Sequence, residues 1–90
     1  MADNGIMNQK EVFSLKSEQI FGQILRTIRK KQKMSQENLA FRSNLDRTYI
    51  SMLERGVHQP TLNSLLAIAS ALSMKASELV KLVENEIEKE

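Results

Sequence analysis

The sequence predicts an all-α fold of five helices, and three observations carry that prediction. Apolar residues recur at spacings of three and four through five successive segments. The borders of those segments hold Ser, Asp, Thr, Gly and Pro, the residues that start and stop helices. No strand candidate survives the same count.

Residues 1–16 carry Asn4, Gly5 and Asn8 without a helical period and read as a flexible lead, from which Val12, Phe13 and Leu15 can dock on the body. The ordered domain is expected over residues 17–90. Ser17 is suited to cap the first helix, in which Ile20, Phe21, Ile24, Leu25 and Ile28 mark one face before it ends near Gln32. Ser35 can accept hydrogen bonds from the free amides of a second helix, residues 36–43, with Leu39 and Ala40 inward. Asn44 and Leu45 interrupt the pattern, and Asn tolerates the left-handed backbone that closes many helices. Asp46 is placed to cap a third helix with Ile50, Leu53 and Val57 on its inner face. Arg47 lies in its first turn, Thr48, Ser51, Met52 and Arg55 point outward, and Gly56 stops it. Pro60 and Thr61 open a fourth helix with a stripe of Leu62, Leu65, Leu66, Ala69 and Leu72. After Ser73 and Met74, a fifth helix puts Ala76, Leu79, Val80, Val83 and Ile87 on one side and grades into the charged end ENEIEKE.

Ninety residues suffice for one hydrophobic core, and 41% apolar with 27% charged residues is the balance of a globular domain, not of a disordered chain. The absence of Cys excludes disulfides and thiolate metal sites. No apolar run approaches the ~20 residues that span a bilayer, and the N-terminus lacks the basic-then-apolar order of a secretory signal, so a cytoplasmic protein is expected. The net charge of +2 conceals an uneven distribution: residues 26–58 carry eight Lys or Arg against three acids, whereas residues 76–90 carry two against five. A basic face for a polyanion and an acidic tail held away from it fit that split, as does a merely solvated surface. One His, no glycine-rich phosphate loop and no carboxylates paired across an inner face argue against an enzyme, and no cofactor, metal or small-molecule ligand is expected.

A short helix, a three-residue turn and a capped helix with a polar outer face can present one end to a groove, and the major groove of B-DNA, about 12 Å wide, admits one such helix. The stretch Gln36-x3-Ala40-x3-Asn44-x5-Ile50-Ser51-x2-Glu54 resembles the helix-turn-helix of the phage-repressor and xenobiotic-response-element family over roughly residues 24–82. The segment NLDRTYISMLERG is especially similar to the controller proteins of restriction-modification systems. That resemblance implies a lambda-repressor-like DNA-binding fold whose second and third helices form the motif, with Ala40 kept small where they cross. The family usually has Gly where this chain has Asn44, a residue that also accepts positive φ.

The resemblance also implies roles for individual residues. Positions at the start and outer face of the third helix contact bases, here Arg47, Thr48, Ser51 and Met52. Arg47 can donate twice to guanine O6 and N7, or rest on a phosphate; Thr48 and Ser51 offer hydroxyls, and Met52 an apolar contact for a thymine methyl. Gln36, opening the second helix, is assigned to a phosphate. His58, Gln59 and Asn63 fall in or after the loop that approaches the DNA backbone in the family. Arg42 is a further phosphate candidate, and Tyr49 either offers its phenol to phosphate or base or only packs its ring. Lys30, Lys31 and Lys33 supply general positive potential. Arg29 and Glu54 fit the family's buried ion pair between the first and third helices, the alternative being two exposed charges.

Ile68, Leu82 and the other apolar residues of the last two helices exceed what one small core needs, and pairing with a second copy follows unless they seal a monomer. A two-fold homodimer would set its recognition helices in major grooves about 34 to 36 Å apart on double-stranded DNA, so a near-palindromic operator is expected. The rival function is a protein-interaction module, such as an antitoxin subunit, on the same scaffold. Within DNA binding, a phage-type repressor is the alternative to a restriction-modification controller, which the short chain, with no effector domain after the helices, favours.

Overall fold

The computed structural model describes residues 9–89, with side chains from residue 17 onward. Its helices are α1 (Gln9–Lys31), α2 (Gln36–Ser43), α3 (Arg47–Glu54), α4 (Leu62–Ala71) and α5 (Ala76–Glu88). No strand occurs among the described residues, and none of their helices is long and apolar enough to cross a membrane. α1 packs against α3 and α5, α2 against α3 and α4, and α4 against α5.

Each of the five helices contributes at least one side chain to the centre: Leu25, Leu39, Ile50, Leu53, Ile68, Leu72 and Leu79 are all essentially inaccessible. Burying each is worth roughly 1.5–3 kcal/mol, so the core is the main adhesive of the domain. Phe21, Ala40 and Ala69 fill the space between them.

α1 begins eight residues before Ser17, which therefore lies inside the helix and does not cap it. The extension holds Gln9, Lys10, Glu11, Leu15 and Lys16, straight-chain residues that lose little freedom in a helix, and neither Gly nor Pro interrupts it. Residues 1–8 of the expected lead, and the side chains of Val12, Phe13 and Leu15, lie outside the described ones. Ser35 caps α2 by accepting from the Asn38 N–H at 2.9 Å. Asn44 ends that helix at φ 57, in the left-handed region, as its residue type allows.

Asp46 occupies the N-cap position of α3, but its side chain makes no capping hydrogen bond, contrary to expectation. Gly56, at φ 76, reverses the chain after α3 while its N–H donates to Leu53 O and that of Val57 to Met52 O, both at 3.1 Å. Val57 is thus beyond the reversal and mostly exposed; α3 ends at Glu54, three residues before it, so the helical period that placed it inside does not reach it.

Thr61 caps α4 by accepting from the Ser64 N–H at 3.0 Å. The α4 stripe is rotated from the expected one: Ile68 is 0% exposed, while Leu62 and Leu66 are 70% and 50% exposed. Apolar residues surround so much of this helix that periodicity alone cannot select its inner side. At the start of α5, the Lys75 N–H donates to Glu78 Oε1 at 2.8 Å. Leu79 is buried and Val83 half-buried, whereas Val80, expected on the same side, is exposed.

Candidate nucleic-acid interface

The three residues Asn44, Leu45 and Asp46 connect α2 to α3, and the Leu45 N–H closes the turn on Ala40 O at 2.9 Å. Ala40 is buried there, and a longer side chain would force the two helices apart. α3 turns Ile50 and Leu53 fully inward. At about 100° per residue, Arg47, Thr48, Ser51, Met52 and Arg55 then share an arc of about 140° on the opposite side. Arg47, Thr48 and Arg55 are exposed and Ser51 and Met52 half-buried. The four predicted base-contacting side chains therefore lie on one open surface.

The C-terminal end of α3 is braced from within. Arg29 Nε donates to Glu54 Oε2 at 2.6 Å and Arg29 Nη2 to Glu54 Oε1 at 2.9 Å, with both side chains buried. This parallel fork excludes the alternative of two exposed charges. The hydrogen bond to Glu54 raises the Arg29 pKa above its ordinary value, against burial, which acts to lower it. Arg29 Nη1 also donates to Met34 O at 2.8 Å, in the connection that leads into α2.

Gln36 stands at the first position of α2, half-buried, and its Nε2 donates to Glu54 Oε1 at 3.0 Å. Its side chain is thus drawn toward α3 and joins the ion pair. The Tyr49 ring packs against the core while its hydroxyl accepts from the Thr61 N–H at 3.4 Å. That bond ties the loop after α3, which holds the exposed His58 and Gln59, to the flank of the helix. Arg42, in the last turn of α2, and Asn63, in the first turn of α4, are exposed, as are Lys30, Lys31 and Lys33.

The candidate contacts to a second copy are less well placed. Ile68 is wholly inside the monomer and has no surface to offer; the surplus of apolar residues on α4 is real, but Leu62 and Leu66 are the ones left outside. Leu82 is 40% exposed and lines a shallow groove with Ile20, Ile24 and Ile28 of α1.

Two features escaped the sequence. Gly22 is buried in α1 where a Cβ would lie 2.4 Å from Leu53 O and 2.7 Å from Glu54 O, so α1 crosses the end of α3 closely enough that only glycine fits. A lone Gly inside a helical run was its sole signal. Phe41 is 85% exposed on the outer side of α2, a place its aromatic side chain did not announce.

The chain matches the helix-turn-helix family over residues 25–79, more than half of its length. It is similar to the control protein C.BamHI of Bacillus amyloliquefaciens, at 45% identity over 62 residues, 68% of this chain and 76% of that protein. It is also similar to the immunity repressor protein of Bacillus phage phi105, at 41% identity over 59 residues; the match covers 66% of this chain and only 41% of the repressor. Among solved structures, the restriction-modification controller protein C.Esp1396I, a tetramer in complex with its natural 35 base-pair operator, superposes with a TM-score of 0.71 at 35% identity. That superposition covers 79% of this chain and 93% of the controller chain.

Proposed function

The chain belongs to the helix-turn-helix family of DNA-binding transcriptional regulators, and from that premise we propose that it reads a near-palindromic operator in double-stranded DNA as a homodimer, in the role of a restriction-modification controller. The observation that carries the proposal is the exposed arc of α3, backed by a fully buried underside and by the Arg29–Glu54 fork. A helix held in that way can enter a major groove without refolding.

In this reading Arg47 donates both sides of its fork to guanine O6 and N7, a contact that discriminates by ~1–3 kcal/mol. Thr48 and Ser51 present hydroxyls to neighbouring base edges, and Met52 an apolar surface to a thymine methyl. Gln36, Arg42, Tyr49, His58, Gln59 and Asn63 hold phosphates on either side. Because the Tyr49 oxygen accepts from Thr61, the phenol keeps its own proton for such a bond. The excess of bases over acids in residues 26–58 supplies attraction to the polyanion. Leu62 and Leu66, one turn apart on α4, replace Ile68 as the residues that face a second copy, and Leu82 remains with them. Catalysis and cofactors have no part in this role, and its place of action is the cytoplasm.

Selection of bound fragments from random duplex DNA, run with the wild-type protein and with Arg47→Ala, tests the assignment. Loss of a preference for one base in each half-site is the expected result. Uniform weakening over all sites would move Arg47 to a phosphate, and binding indifferent to salt would favour a protein-interaction module instead. A phage-type repressor would use the same interface; an operator lying before the chain's own gene and that of a restriction enzyme separates the two readings.

A further inference from the structure

The ion pair beneath α3 does more than brace it, because Glu54 is also the residue that Gln36 touches. A primary amide free in solution can be turned either way, with nitrogen and oxygen exchanged at little cost, and only its partners decide. Here the partner is a carboxylate, which accepts and cannot donate. With Glu54 Oε1 at 3.0 Å, nitrogen must face inward, and one N–H of that nitrogen is left over.

The carboxylate is in turn immobilised. Both of its oxygens accept from Arg29, whose remaining terminal nitrogen is held by Met34 O. Met34 directly precedes Ser35, the cap of α2. One guanidinium therefore fixes the start of the helix that carries Gln36 and the carboxylate that orients its side chain. The same guanidinium cancels a negative charge that would otherwise repel a phosphate.

We propose that Glu54 is a positioning residue for DNA binding: with Arg29 it sets the rotamer and the amide orientation of Gln36 before DNA arrives, so that the second N–H of Nε2 is presented to a phosphate. The inference rests on the phosphate role of Gln36 and adds to it the group that prepares the contact. Side-chain freedom surrendered in the free protein is not surrendered again on association, so an orientation held in advance strengthens binding.

The test combines a mutant cycle with a direct probe. Affinity for the selected operator fragment is measured for the wild type, Gln36→Ala, the pair Arg29→Met/Glu54→Leu, and the triple variant. An apolar replacement of a buried ion pair commonly preserves the fold, and melting curves identify whether the pair variant stays folded. Gln36→Ala should weaken binding about tenfold for each Gln36–phosphate hydrogen bond removed, since the acceptor is charged. The pair variant should weaken it at least as much, and the triple variant no more than the pair. A further tenfold weakening in the triple would show that Gln36 acts without Glu54 and overturn the proposal. An unchanged affinity for Gln36→Ala alone would instead remove the phosphate role itself, and the inference with it.

Nuclear magnetic resonance of the two Gln36 side-chain amide protons in the unaltered protein supplies evidence independent of the pair variant's stability. The proton bonded to Glu54 should keep its shift and slow exchange when DNA is added, while the other moves. That movement should vanish on a fragment with a neutral methylphosphonate at the contacted position. Loss of protection at the Glu54-bonded proton in the complex would overturn the proposal.

Discussion

Replacing Gly22 by alanine tests how α3 is seated on the body. The new methyl would sit 2.4 Å from Leu53 O and 2.7 Å from Glu54 O, where ordinary contact begins at 3.4 Å. Both obstacles are backbone atoms at the end of a helix, so no flexible side chain can swing aside, and α1 and α3 must separate by about 1 Å. Overpacking of this kind costs about 3 kcal/mol at the upper end of its usual range. Alanine recovers about 1 kcal/mol through its better helix propensity. The net loss of about 2 kcal/mol corresponds to a midpoint lower by about 10 °C for a domain of this size. The same separation pulls Glu54 from Arg29, whose bonds to it are 2.6 and 2.9 Å long, so operator affinity should fall as well. Thermal denaturation followed by circular dichroism, with operator titration below the midpoint, measures both. A variant as stable as the wild type, or more stable, as Gly→Ala in an unobstructed helix would be, refutes this account of the crossing.

The helix caps make a paired test: Thr61→Ala should cost about 1 kcal/mol because its oxygen accepts from the Ser64 N–H, whereas Asp46→Ala, with no capping bond to lose, should cost about 0.5 kcal/mol or less in urea denaturation. Glu54→Ala strands the Arg29 guanidinium inside the protein and should destabilise by about 3–5 kcal/mol, as melting curves would record. Leu62→Glu with Leu66→Glu should leave the melting curve of the monomer nearly unchanged while lowering the mass found by sedimentation, since both side chains are already outside the core. A dimer that survives the double change removes α4 from the interface.

How far the fold was legible depends on the helix considered. In α2 and α3, a Ser cap, a left-handed Asn and a terminating Gly frame short apolar patterns, and each signal has one physical meaning, so the motif and its outer arc could be read directly. α4 and its C-cap carry Leu62, Leu65, Leu66, Ile68, Ala69 and Leu72, and its inner side is chosen by α2 and α5, which are distant in sequence. That tertiary choice sent Ile68 inward and left Leu62 outside. The start of α1 failed for the opposite reason: residues 9–16 have sufficient helix propensity without the apolar period used to recognise a helix. Within the site, the Arg29–Glu54 pair was available from the resemblance, but the attachment of Gln36 to it was not, because side-chain rotamers across 18 residues leave no trace in a one-dimensional pattern.

The restraints on α3 are unequally distributed along it, and that asymmetry bears on how it meets DNA. Its C-terminal end is locked three ways: by the close passage of α1 at Gly22, by the Arg29–Glu54 fork, and by the reversal at Gly56. Its flank is joined to the start of α4 through Tyr49 and Thr61. The N-terminal end is held by the turn from α2 and by the buried Ile50, with Arg47 and Thr48 exposed and Asp46 making no capping bond. The more tightly held end is the C-terminal one, and the first turn, with the Arg47 guanidinium and the Thr48 hydroxyl exposed, is the less restrained. Unsatisfied backbone amides and the positive end of the helix dipole lie at the same place, next to which phosphates and base acceptors are stabilised. The anchoring that the core provides and the polarity of the helix thus point the same way, so under the proposed function α3 would enter a groove leading with Arg47 and not with Arg55.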